Sequence, residues 1–308
     1  MTPTLVASRT ALPPEGALRL RPGKAGSAAP ADREGALGSV ADLGRRFGGL
    51  ARLYGAAGAR KIRNAHVVVV GLGGVGSWAA EALARSGVAR LTLIDLDHIA
   101  ESNINRQVHA LSSTLGQSKV QAMRERIAQI HPGCDVHCVE EFVDAANWPA
   151  IAGLDAFGDG AVSVIDACDQ VRAKTAMAAW AMRCKANFIS VGAAGGKRHA
   201  HKVDVEDLSL VTHDPLLAQL RYRLRKEQSA ARKGKIGVAC VFSREAVLQP
   251  AALAADTSAE GTVPEACEVQ DDAQSDGSLN CHGYGSVVSV TSTFGLCAAG
   301  WILGKIAG

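Results

Sequence analysis

No two of the eight cysteines form a CxxC pair, and only Cys134 and Cys138 lie close together. That excludes a zinc site built from paired CxxC knuckles. The chain also lacks a secretory signal, and at 308 residues it is too long to resemble a disulfide scaffold. Free thiols in a reducing cytoplasm are the expectation. Charge is slightly scarce, at 20% of residues, and its excess is only +3. So small an imbalance does not establish a nucleic-acid partner, and local clustering has to decide. There is no internal repeat. Residues 1–39 lack apolar periodicity and read as a disordered extension rich in Ala, Gly, Pro and Arg. Charge is missing altogether from Ser286 to Gly304, a stretch approaching membrane-spanning length, although five Ser or Thr residues dilute it. Two readings stay open there: burial in the protein core, the preferred one, or membrane association through 286–306.

What is present is a nucleotide-binding unit. The β-branched run Val67 to Val70 has the pattern of a buried parallel strand. It leads into Gly71-Leu72-Gly73-Gly74-Val75-Gly76, then into the helix-favouring stretch Ser77 to Arg85. A second apolar strand, Leu91 to Ile94, ends at Asp95. Glycines allow a tight turn whose N–H groups reach a phosphate. A carboxylate about 20 residues on falls where a ribose hydroxyl lies. A lone GxGxxG is weak, whereas strand, loop, helix, strand and acid in succession are not.

Strands and helices go on alternating. Ser118–Gln129 and Arg172–Lys185 read as helices; Val136–Val139, Ser163–Asp166 and Asn187–Val191 read as strands. The fold class is therefore α/β, a Rossmann-like, doubly wound and mainly parallel sheet. A less regular substrate-side region over 197–285 is expected within a domain spanning 40–308. Sites in such sheets lie at the carboxyl ends of strands, where Asp95, Asp169 and Gly192 fall.

The residues past Asp95 bear on the choice between NAD and ATP. Asp97, Asn103 and Arg106 follow the second strand, Asn103 and Arg106 sharing a face if the stretch is helical, and Lys119 opens the next helix. Hydride transfer does not need such cations. Attack of a carboxylate on the α-phosphate of ATP does, because charge develops on phosphorus oxygens and departing pyrophosphate. Asp169 is the candidate ligand for magnesium.

Arg46-Phe47-Gly48-Gly49-Leu50-Ala51-Arg52-Leu53-Tyr54-Gly55, then GLGGVG, LTLIDLD, SNINRQ, Lys119 and IDACD together resemble the ubiquitin-activating and sulfur-carrier-adenylating superfamily. Within it, GSWAAEALARSG, NRQVHAL, GAAGG, HDPL and KIGVACVFS are similar to the bacterial tRNA threonylcarbamoyladenosine dehydratase family. The resemblance implies a ThiF-like homodimer that adenylates a carboxylate with ATP and magnesium. The substrate it implies is tRNA carrying threonylcarbamoyladenosine next to the anticodon. It assigns Gly71, Gly73 and Gly76 to the phosphates, Asp95 to the ribose, and Asn103, Arg106 and Lys119 to the triphosphate, with Gly74 and Asp97 also in the nucleotide site. Asp169 would assist magnesium, and Cys240 would belong to the dehydratase family's cysteine-bearing motif. A cysteine-desulfurase or sulfur-acceptor partner is also implied, though no residue points to it. One position departs: where the superfamily has an arginine that reaches the partner's nucleotide, this chain has Gly49, with Arg46 and Arg52 nearby.

On the substrate side, Cys240 lies in an apolar run, where a cysteine is usually an inert hydrophobe, and Cys281 has a weaker case still. The basic stretch Arg221 to Lys235, together with Lys197-Arg198-His199, offers phosphate contacts or merely solvated helix faces. Tyr222 or Phe242 is a candidate to stack on an unstacked base. Asp256 to Asp276, with seven acids and no base, reads as an exposed loop. Adenylation of a small carrier protein's C-terminal glycine, a nicotinamide oxidoreductase and a non-catalytic binding module are the competing functions.

Overall fold

The computed structural model describes residues 41–154, 162–248 and 284–308. The expected N-terminal disorder, the acidic loop and Cys281 lie outside them. Residues 41–308 form one compact unit.

Strand β1 (His66–Val70) is buried along its whole length. Val67 and Val69 face one core cluster, while Val68 and Val70 face the other. That is the period of two expected of a strand covered on both faces. Around it lie β2 (Arg90–Ile94), β3 (Asp135–Val139), β4 (Val162–Asp166), β5 (Asn187–Val191), β6 (Val203–Asp207) and β7 (Ala239–Ser243). The seven strands run in the order β3-β2-β1-β4-β5-β7-β6. All neighbours are parallel except β6, which is antiparallel to β7. Residues 203–243 are thus more regular than expected: β7 and β6 extend the same sheet.

Register matters for the site. Val70 pairs with Ile94 and with Asp166, and Ile94 with Val139, so the loops beginning at 71, 95, 140 and 167 leave one edge. The strand order reverses between β1 and β4, which opens a crevice at the carboxyl ends. The α-helices among the described residues are α1 (Leu43–Phe47), α2 (Gly49–Arg63), α3 (Gly76–Arg85), α4 (Lys119–Ile130), α5 (Val171–Cys184), α6 (Pro215–Glu227) and α7 (Val288–Ala307). Side chains of α3, α4 and α7 belong to one core cluster, those of α5 and α6 to the other.

Helix α7 is the uncharged segment near the C-terminus. Its 20 residues, with mean hydropathy 1.3, pass a length-and-composition test for a membrane span. Val290, Phe294, Ala298 and Ile302 nevertheless recur at helical spacing and are fully buried in the core. A Cβ on Gly295 would stand 2.9 Å from the backbone nitrogen of Ala79, so this helix crosses α3 almost backbone to backbone. The structure uses it as a core helix.

Two histidines inside this core carry a pH consequence. His66 and His109 are buried at 9% and 1% exposure. Burial first, then nearby arginine or lysine charge, pushes each down to about 4. Unfolded histidine titrates near ~6.5, so the native state binds fewer protons below that value. Their contribution is present above about pH 6.5 and is lost as pH falls toward about 4, at up to about 1.4 kcal/mol per pH unit for each group. Urea unfolding between pH 7 and 5 should show this loss, and His109→Leu should flatten the slope by about one proton's worth. An unchanged slope in the variant would contradict the assignment.

Candidate active site

The crevice between β1 and β4 opens into a cavity of about 580 Å³. It is lined by Gly71, Gly73, Gly74, Asp95, Asp97, Asn103, Arg106, Lys119 and Asp169, so the structure gathers nearly all the residues expected from the sequence. The glycines follow β1, Asp95 and Asp97 follow β2, Asp169 follows β4, and Lys119 opens α4.

The glycine turn is built by close approach. Gly71 has φ +84°, and a Cβ there would lie 2.9 Å from the Ala167 carbonyl oxygen. Gly71 N–H donates to the Ile94 carbonyl (2.8 Å) and Ala167 N–H to that of Val70 (2.8 Å), which fastens the turn to both neighbouring strands. Gly73 faces open space. Gly76 plays a part other than the expected one. It does not line the cavity; it opens α3 buried against the Gly71 carbonyl, where any Cβ would collide. Val75 gives α3 no side-chain cap. Ser77 N–H is bonded to the Gly73 carbonyl (3.2 Å), so what α3 offers an anion is chiefly the positive end of its dipole.

Acid and cation interlock beside this turn. Asp95 accepts from Leu72 N–H (2.5 Å) and from Asp97 N–H (2.9 Å). Burial raises its carboxyl pKa, and the Lys119 ammonium 3.8 Å away opposes that rise. Lys119 is buried and pairs with Asp97 at 2.6 Å. The stretch after Asp97 is not an α-helix: a short 3-10 turn covers Glu101–Asn103, and Arg106 N–H donates to the Asn103 carbonyl at 3.1 Å. Asn103 uses its Oδ1 to accept from Ala100 N–H (3.1 Å). The Arg106 guanidinium donates to the Ser102 carbonyl (2.6 Å), and its stem passes so near Gly74 that a Cβ there would meet its Cγ at 3.1 Å. Gly74 is what lets Arg106 lie over the turn.

Beneath the cavity lies a group that the sequence reading missed. Lys174 and Asp166 are fully buried and paired at 3.1 Å. Asp166 also accepts from the Ser190 hydroxyl (2.6 Å) and the Cys168 N–H (3.3 Å), while Lys174 donates to the Val191 carbonyl (2.7 Å). One ion pair therefore ties the loop carrying Asp169 to the loop beginning at Gly192. Asp214 braces the latter from the other side: it caps α6 through Leu217 N–H (3.0 Å) and accepts from Ala193 N–H (2.9 Å).

Several substrate-side expectations are corrected. Cys240 lies in β7, fully buried and absent from the cavity wall, with its thiol pushed well above its ordinary value by burial. The structure does not bring it to the other site residues. Phe242, in the same strand, is fully buried too and cannot stack on a base. Lys197 is only 2% exposed and donates to the carbonyls of His213 (2.9 Å) and Glu245 (2.5 Å), so it holds loops rather than reaching a phosphate. Arg221 likewise donates to the Leu208 and Val211 carbonyls. Exposed cations remain at Lys226, Arg232, Lys233 and Lys235, beside exposed Tyr222, over whose ring Lys226 lies at 5.6 Å. Arg46 donates to the Ile130 carbonyl (2.7 Å), and Gly49 begins α2.

Removing one partner of a buried ion pair strands the other. Lys174→Met should cost about 3–5 kcal/mol of folding free energy, and adding Asp166→Asn should recover part of it. Chemical denaturation checks this; a loss below about 1 kcal/mol would contradict the pairing.

Comparison with known proteins agrees with this geometry. A tRNA threonylcarbamoyladenosine dehydratase of Escherichia coli is 42% identical over 265 residues, covering 85% of this chain and 93% of that protein. The Bacillus subtilis enzyme of that name is 39% identical over 62% of this chain and 71% of its own. The crystal structure of the E. coli dehydratase in complex with ATP matches with a TM-score of 0.71 at 39% identity, covering 87% of this chain and 96% of that one. The ThiF family model matches residues 47–307. The chain belongs to the ThiF family.

Proposed function

We propose that this protein is an ATP-dependent tRNA threonylcarbamoyladenosine dehydratase. The observation that carries the reading is the placement of two cations, Arg106 and Lys119, beside an uncapped helix N-terminus on a glycine turn. Near-full-length similarity to dehydratases supports the choice of substrate.

The α3 N-terminus and the Gly71–Gly74 turn hold the phosphates, and Asp95 accepts from the ribose hydroxyls. Asp97 keeps Lys119 aimed at the cavity. When the substrate carboxylate attacks the α-phosphorus, the bond to pyrophosphate breaks. Negative charge then grows on oxygens that Arg106 and Lys119 face, so these side chains stabilise the transition state more than the ground state. A nitrogen or oxygen of the same modified nucleoside next attacks the activated carbonyl and expels AMP, which carries away the carboxyl oxygen. Proximity supplies much of this second step, and no thioester to Cys240 is needed.

Among the described residues no three His, Cys, Asp or Glu side chains cluster to cage a metal. A single carboxylate fits magnesium in such a site, since that ion keeps several waters and takes its remaining ligands from phosphates. Asp169 would hold it, and the ion would neutralise the departing pyrophosphate. A homodimer, and exposed Lys226, Arg232, Lys233 and Lys235 as contacts to the tRNA backbone, complete the proposal.

Pyrophosphate release should depend on threonylcarbamoylated tRNA. Lys119→Ala or Arg106→Ala should lower its kcat by about 10²–10³-fold while each variant remains folded by circular dichroism. Wild-type turnover in both variants would remove the proposed roles. Release that requires a small carrier protein and ignores tRNA would move the reaction to carrier adenylation.

A further inference from the structure

Aromatic residues make up 4% of the chain, yet two of them wall the cavity. Phe142 and Tyr284 are the only Phe, Tyr or Trp among its described lining residues. They belong to different parts of the row of strand ends, with β2, β1 and β4 between β3 and β5. Phe142 follows β3, at one end of the row of strand ends, beside Leu96 and Val143. Tyr284 packs on the loop after β5, at the other end: a Cβ on Gly195 would lie 3.2 Å from the Tyr284 Cβ. The glycine turn after β1 and Asp169 after β4 lie between them.

The two ends differ in chemistry. Asp95 follows β2, so a nucleotide with its ribose there and its phosphates on the Gly71–Gly74 turn has its base directed toward Leu96 and Phe142. The Tyr284 end is left for the molecule that supplies the carboxylate. On this side the cavity is lined by Ala193, Ala194 and Gly195 after β5 and by Pro215 and Leu216 at the start of α6, none with a charged side chain. This is a wall for a flat neutral group rather than for a phosphate. The segment 284–286 is also held across the site: Gly196 N–H donates to the Gly285 carbonyl (2.9 Å), and Asn105 Nδ2 donates to that of Ser286 (3.1 Å). The backbone that carries Tyr284 is therefore anchored on both sides of the site.

We propose that Tyr284 is the specificity-determining residue for the tRNA substrate, its ring stacking on the modified adenine while Phe142 serves the adenine of ATP. This inference rests on the dehydratase reading. A base drawn out of an anticodon loop loses its neighbours' stacking, and an aromatic side chain restores it.

Steady-state kinetics with a threonylcarbamoylated anticodon stem-loop test the assignment. Tyr284→Ala should raise KM for the RNA on the order of tenfold and leave KM for ATP unchanged, the size expected for one base–aromatic stack. Tyr284→Phe should behave as the parent, and Tyr284→Leu should resemble the alanine variant, which separates a ring from mere bulk. Phe142→Ala should raise KM for ATP alone. An unchanged RNA KM in Tyr284→Ala, equal rises in both constants, or full rescue by leucine would overturn the proposal. RNA-dependent AMP formation by the parent protein is the control: its absence would sink the dehydratase reading itself, whereas its presence beside an indifferent Tyr284→Ala would sink only this one.

Discussion

The structure depends on one close approach, that of the Gly71 backbone to the Ala167 backbone. With no side chain at 71, the turn after β1 lies against the turn after β4. Gly76 then lets α3 start immediately over the same carbonyl. This brings an uncapped helix end and Asp169 to one crevice. A methyl group at either position pushes the two turns apart, and the site opens with them. Hydrogen bonds from Gly71 to Ile94 and from Ala167 to Val70 keep the approach in register with the strands.

Electrostatics is layered around that contact. Beside the turn, Lys119 and Arg106 are each held in place by acceptors: Asp97 and Asp95 for the lysine, the Ser102 carbonyl and Asn105 for the arginine. Below the floor, the Asp166–Lys174 pair shares no solvent and makes hydrogen bonds to two loops at once. Buried pairs contribute little net stability, so the value of this one lies in fixing where loops stand. The pattern suits a reaction whose hardest step is charge development at phosphorus, because fixed dipoles need no reorganisation as that charge appears.

Much of this was legible in the sequence where one physical signal dominated. Val67–Val70 is a strand buried on both faces, the glycine turn follows at once, and the cations after Asp95 fall into the cavity as expected. Helix α6 was obscured because its arginines read as a basic patch, although Asp214-Pro215 is a helix start and Leu216, Leu217, Leu220 and Leu224 mark its buried side. Strand β6, Val203–Asp207, alternates apolar with acidic residues as a half-covered edge does, and its charge hides it in the sequence. Lys197 looked like a surface cation because its carbonyl partners lie 16 and 48 residues away. Lys174 and Asp166 were invisible as a pair for the same reason: a helical turn and a loop bring them together, and no motif records it. The motif around Cys240 was visible, but only the sheet shows that the thiol faces inward.

The central claim is that the cations beside the glycine turn drive activation of a nucleoside carboxylate. Mass spectrometry of a threonylcarbamoylated anticodon arm, after incubation with the protein, ATP and magnesium, tests it most directly. The account predicts an RNA lighter by one water, with one AMP formed for each RNA converted. An arm of unchanged mass after exhaustive reaction, or loss of water without any AMP, would contradict it.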